Sequence, residues 1–134
     1  MGPRYLLDTN ICIYVAKHRP AEVRRRFEAC SPGDLAMSVV TYGELRHGAE
    51  KSQARDQALA TLTALAETIS VLALPAEAGV HYGEIRAALD RAGQPIGNND
   101  LWIAAHALAA GLTLISNNLR EFARIEGLSV ENWA

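Results

Sequence analysis

Four polar residues in this chain each stand just past an apolar stretch, and their types suit metal and phosphate chemistry: Asp8, Glu44, Asp100 and Asn118. Asp8 ends the apolar part of Tyr5-Leu6-Leu7-Asp8-Thr9-Asn10. A buried, unpaired carboxylate is costly, so Asp8 needs a metal, a cation or water beside it. Its alternative role is to N-cap the helix expected over 11–17. Glu44 follows Thr41 at capping-box spacing and could be only a cap partner. Asp100 could equally be a plain N-cap, and Asn118 a turn former. If the fold brings the three carboxylates together with no basic partner, they repel one another. A divalent cation relieves that repulsion, and Mg²⁺ and Mn²⁺ favour oxygen ligands of this kind.

The elements around these residues bring them to one place. Residues 5–7 form an unbroken apolar run, as in a strand buried on both faces of a parallel sheet. A second helix follows from Pro20, with Val23 and Phe27 on one face, and 31–34 read as a loop. Strands are expected at 35–39, 71–74, 112–115 and 128–130. Helices are expected from Thr41, over 54–69 and 76–92, from Asp100 to Gly111, and briefly at 120–124. Trp133 packs the tail down. Strands alternating with helices imply an α/β fold, a three-layer α/β/α sandwich around a central parallel sheet. In such sheets ligands bind at the carboxyl ends of the strands, where all four polar residues fall.

The 134 residues suit a single domain, 1–134, with a sizeable core. No apolar run reaches membrane-span length and the N-terminus lacks a signal-peptide core, so a cytoplasmic protein is expected. Cys12 and Cys30 do not form a zinc motif, and Cys12 reads as a core residue. A net charge of -2 excludes a globally basic nucleic-acid binder, but local basic groups remain available. The densest basic run, Arg24-Arg25-Arg26, reads as a solvated helix face rather than a phosphate contact. His106, in the middle of an apolar helix, reads as a core residue, and His47 as a surface one.

The blocks Leu7-Asp8-Thr9-Asn10, Val40-Thr41-Tyr42-Gly43-Glu44-Leu45, Ile96-Gly97-Asn98-Asn99-Asp100-Leu101-Trp102-Ile103-Ala104-Ala105-His106-Ala107 and Leu114-Ile115-Ser116-Asn117-Asn118-Leu119-Arg120-Glu121-Phe122 occur in that order. Gly127-Leu128 and Glu131-Asn132-Trp133 follow. Together they resemble the PIN-domain ribonucleases of the VapC toxin family. The resemblance implies a PIN-like α/β/α sandwich and metal-dependent endonucleolytic cleavage of RNA. It implies that Asp8, Glu44 and Asp100 hold Mg²⁺ or Mn²⁺, with Thr9 and Asn10 fixing the Asp8 carboxylate and Ser116 in support. The family often has an aspartate where this chain has Asn118. An amide brings no charge, so one firm metal is expected, with a second arriving only with substrate phosphate. Cleavage by water would leave a 5′-phosphate and a 3′-hydroxyl. The resemblance also implies a small antitoxin partner, a homodimer and a toxin–antitoxin hetero-oligomer.

Two other readings compete. A phosphotransferase using Asp8 as nucleophile usually carries another acid two residues on, where this chain has Asn10. A catalytically weak or inactive module that mainly binds a partner protein or RNA draws its support from Asn118.

Overall fold

The computed structural model describes residues 2–31 and 33–134. Met1, and Pro32 in the loop expected at 31–34, lie outside the described residues. The elements run β1 (Tyr5–Leu7), α1 (Thr9–Lys17), α2 (Ala21–Glu28), β2 (Leu35–Ser38), α3 (Val39–Glu50), α4 (Arg55–Thr68) and β3 (Ser70–Leu72). They continue with α5 (Glu77–Ala92), α6 (Asn98–Ala110), β4 (Thr113–Ile115), α7 (Leu119–Phe122) and β5 (Val130–Glu131). This is the alternation expected from the sequence. The strands form one sheet in the order β3-β2-β1-β4-β5, with every pair parallel.

β1 is the central strand. Tyr5 registers with Leu35 on one side and with Thr113 on the other. Neighbouring strand residues point to opposite faces, and each face has its own core. Leu6, Ala36 and Leu114 pack with Leu89, Leu101, Ile103, Ala104 and Phe122. Leu7, Met37 and Ile115 pack on the other side with Ile11, Cys12, Val15, Leu65 and Ile69. Trp133 is buried there, edge-on to Tyr5 at 5.2 Å. Helices on both faces explain why the strands read as continuous apolar runs rather than alternating ones. α6 closes at Gly111, whose φ of 69° is readily adopted without a side chain.

Several boundaries differ from the sequence reading. α3 begins at Val39, directly after β2, and its cap is Ser38, whose Oγ accepts from the Val40 N–H at 3.1 Å. Thr41 is therefore not a cap; it lies inside α3, fully buried. The Thr41–Glu44 capping box does not form, because the strand runs into the helix without a loop. α6 starts at Asn98, with Gly97 at the cap position, so Asp100 sits in its first turn rather than before it. β3 stops at Leu72, opposite the last residue of β2, and β5 lies opposite Leu114 and Ile115.

His106 is buried, as expected of a core residue, and its Nδ1 lies 2.8 Å from Ser38 Oγ. Ser38 already accepts from Val40, so its hydroxyl proton is free to go to Nδ1, which leaves the Nε2–H tautomer. Burial pulls the His106 pKa down, consistent with a neutral ring. One hydrogen bond thus ties α6 to the start of α3.

Leu6 is fully buried on the central strand. Leu6→Ala should cost about 2–5 kcal/mol by the loss of apolar contacts and the cavity left behind. Urea unfolding should show the lower midpoint with an unchanged denaturant slope; a loss under about 0.5 kcal/mol would mean the sheet centre is not tightly packed.

Candidate active site

Asp8 follows the last residue of β1, and its backbone N–H bonds the Ile115 carbonyl of β4 at 3.0 Å. Its side chain is almost fully buried, at 5% exposure. The Ile11 N–H donates to Asp8 Oδ1 at 3.0 Å, so Asp8 does N-cap α1. Cap and site are therefore not alternatives, because one oxygen can hold the helix while the carboxylate still faces the sheet edge. Ser116, at the end of β4 and fully buried, hydrogen bonds the same carboxylate. Its Oγ also accepts from the Asn118 N–H at 2.9 Å. Burial raises the Asp8 pKa and Glu44 adds to the rise, against the lowering by Ser116 and by the N–H groups of Ile11 and Asn10. Asn10 contributes through its backbone here, and its side chain is exposed.

Glu44 lies on the second turn of α3 and faces the start of α1. Thr9 Oγ1 donates to Glu44 Oε1 at 2.5 Å, with Thr41 Oγ1 3.4 Å away. The sequence reading had Thr9 steadying Asp8; the structure turns its hydroxyl to Glu44. The reason is that α3 starts early, which carries Thr41 and Glu44 down beside the first turn of α1.

Asp100 is half-buried in the first turn of α6, where the helix dipole favours a negative charge. Burial pushes its carboxyl up to about 6, and Glu121, Asp8 and Glu44 push in the same direction. Its oxygens make no hydrogen bond among the described residues.

Glu121 is the residue the sequence reading missed. It is half-buried in α7 and is the strongest charged neighbour of Asp100. Its Oε1 accepts from the Gly97 N–H at the start of α6, at 3.1 Å, and its Oε2 from Asn118 Nδ2 at 2.5 Å. Asn118 therefore presents an amide to a carboxylate instead of acting as the fourth acid itself. The available signal is spacing, since Glu121 lies three residues past Asn118, one turn along a helix.

The fold thus gathers Asp8, Glu44, Asp100 and Glu121 at the carboxyl edge of the sheet. None of them is in an ion pair among the described residues. Among the described residues, no three His, Cys, Asp or Glu side chains stand close enough together to hold a metal ion as they are placed. An open, all-oxygen set of unpaired carboxylates suits a hard divalent ion that keeps several of its waters. It does not suit zinc, whose structural sites want sulfur or imidazole.

The PIN domain family model matches residues 5–128. The chain is 46% identical over 131 residues to the tRNA(fMet)-specific endonuclease VapC of Shigella flexneri, covering 98% of each. It is 44% identical over 130 residues to ribonuclease VapC2 of Haemophilus influenzae, covering 97% of this chain and 98% of that protein. Among solved structures, DNA-bound VapBC from Salmonella typhimurium matches with a TM-score of 0.92 at 41% identity, covering 98% of this chain and 99% of that one. The chain belongs to the PIN-domain family, in its VapC group.

Asp100 offers a test of burial and charge crowding together. Its folded carboxyl titrates near 6, against 3.8 for the ordinary group. A raised pKa contributes stability that is complete below the unfolded value and lost as pH rises through the folded one. In chelator, the thermal midpoint of the native chain should therefore fall relative to Asp100→Asn between about pH 4 and 6. Parallel curves would show that neither burial nor the neighbouring acids raise the Asp100 carboxyl.

Proposed function

We propose that the chain is the ribonuclease toxin of a toxin–antitoxin pair, cutting RNA with the help of Mg²⁺ or Mn²⁺. The single observation that carries this reading is the four-carboxylate edge with no cation of its own. Asp8, Glu44 and Asp100 would hold the ion, and Glu121 supplies the fourth charge that Asn118 does not. When bound, such an ion neutralises charge on the scissile phosphate and makes water a better nucleophile.

The chain's own groups do the rest. Ser116 and the Ile11 N–H fix the Asp8 carboxylate, and Thr9 fixes Glu44. Asp100, free of hydrogen bonds within the described chain, is left to orient a water and take its proton. The inactive-module reading rested on Asn118 as a lost acid. Glu121 restores the charge count and removes that support.

The partner is a small antitoxin. VapBC-1 from nontypeable Haemophilus influenzae, a solved structure 44% identical with a TM-score of 0.89, covers 96% of this chain and 97% of that one. Here Ile13, Ala16, Leu45, Leu62 and Leu65 line an open groove of about 650 Å³ between α1, α3 and α4. The groove also reaches Thr9 and Glu44. An amphipathic antitoxin helix in it would place its continuation at the acids, where an arginine could bridge two carboxylates. The helix expected over 54–69 supplies a wall of this groove, and the helix that follows Pro20 does not. The assembly is a toxin dimer with one antitoxin segment over each site. Among the described residues no helix is long and apolar enough to cross a membrane.

Asp8→Asn tests the reading cleanly, because asparagine is as good an N-cap as aspartate. Cleavage should fall at least about 100-fold while the thermal midpoint stays within a few degrees. The first RNA to assay is tRNA(fMet), named for the Shigella flexneri relative. Cleavage by Asp8→Asn at the native rate would remove Asp8 from the chemistry.

Metal dependence is a separate test. Chelator should abolish cleavage; Mg²⁺ or Mn²⁺ should restore it, and Ca²⁺ should not. Full activity in excess chelator would mean a metal-free ribonuclease.

A further inference from the structure

The C-terminal end of α1 carries a second concavity, away from the acids. Ile13, Tyr14, Lys17, Arg19 and Pro20 enclose about 330 Å³, with no carboxylate in the lining. Lys17 and Arg19 are exposed, and neither is in an ion pair among the described residues. The denser basic run behaves differently: Arg24, Arg25 and Arg26 are paired with Glu28, Glu22 and Glu131. Other concavities that contain a cation contain acids too, Arg86 with Asp90 and Arg124 with Glu84 and Glu126.

The backbone that carries the two cations is fixed, while their side chains are exposed. His18 takes a left-handed conformation, φ 56°, and the Arg19 N–H bonds the Tyr14 carbonyl at 3.1 Å. Tyr14 is in turn tied to the catalytic edge, because its hydroxyl accepts from Asn117 Nδ2 at 2.9 Å and Asn117 adjoins Ser116. The end of a helix carries roughly half a negative charge. One cation offsets that, and the second is left over for a ligand.

RNA entering this site faces a difficulty of sign. The acidic edge repels phosphate wherever a metal does not cover it, and the net charge of -2 gives no general attraction. The strand must be held by cations close to the acids but outside their cluster. Lys17 lies nine residues beyond Asp8 on one helix, roughly 13 Å along its axis. We propose that this concavity seats a nucleotide of the RNA flanking the scissile bond. A phosphate meets Lys17 and Arg19, and the sugar and base lie against Ile13, Tyr14 and Pro20. The proposal rests on the ribonuclease reading above.

The test is the salt dependence of binding a short single-stranded RNA, with Asp8→Asn as the parent chain to prevent cleavage. Each phosphate contact to a single strand adds about 0.7 to the log–log slope. Adding Lys17→Ala and Arg19→Ala should lower the slope by about 0.7 and weaken binding at low salt by at least about ten-fold. Arg24→Ala with Arg25→Ala removes the same charge from a paired surface and should leave the slope unchanged. Equal loss in both double variants would reduce the effect to general charge and overturn the site. So would unchanged RNA binding, including the case in which only the hold on a co-expressed antitoxin weakens. Failure of the ribonuclease reading is separate, since it shows as no RNA cleavage by the native chain with Mg²⁺ or Mn²⁺ present.

Discussion

Mutual repulsion among carboxylates at one sheet edge is the constraint on which the rest of this structure depends. Asp8 is nearly buried at the end of the central strand, and Asp8, Glu44 and Glu121 all stand near enough to Asp100 to push its carboxyl up. A protein gains nothing in stability from such crowding. It persists because the packing on both faces fixes the strand ends regardless of what they carry. The two cores share the sheet, so the edge cannot relax without disturbing Leu6 on one face and Leu7 on the other.

The acids are held by ties that run between elements. Ser116 of the β4 end bonds Asp8 of the β1 end. Thr9 of α1 bonds Glu44 of α3, and Glu121 of α7 accepts from Gly97 at the head of α6. His106, farther along α6, bonds the residue that caps α3. Each acid-bearing element is therefore braced by a neighbour, and Asp8 and Glu121 are held within their own turns as well. This division leaves Asp8, Glu44 and Glu121 oriented by donors, and Asp100 alone with free oxygens. A site built this way has its ligands preorganised and one position open to water.

The order of elements and the core were readable because they rest on period and burial. Apolar runs, Gly111 and the alternation of strands with helices pointed to the observed sandwich. The errors fall where one local motif competes with a tertiary contact. Thr41 and Glu44 carry the spacing of a capping box, yet Ser38 caps the helix and both residues turn toward Thr9. Asn118 stood at the expected fourth position and hid Glu121 one turn later. Their spacing places both on one turn but does not tell which of the two lies beside Asp100. That depends on how α7 lies against the start of α6, a contact between distant segments.

α1 joins the separate functions of the chain. Its first turn holds Asp8 and Thr9, and its last turn holds Lys17. Ile13 and Lys17 line both the long apolar groove beside α4 and the basic concavity at the helix end. On the readings proposed above, an antitoxin helix in the groove and an RNA nucleotide in the concavity compete for those two side chains. An arginine at the acids is then not needed for inhibition. Occupying the groove already takes Lys17 from the phosphate, and the uncovered acids repel the strand that remains. On the same readings, control of this ribonuclease follows from one helix presenting its acid end to the metal and its basic end to the substrate. The face between them belongs to the inhibitor.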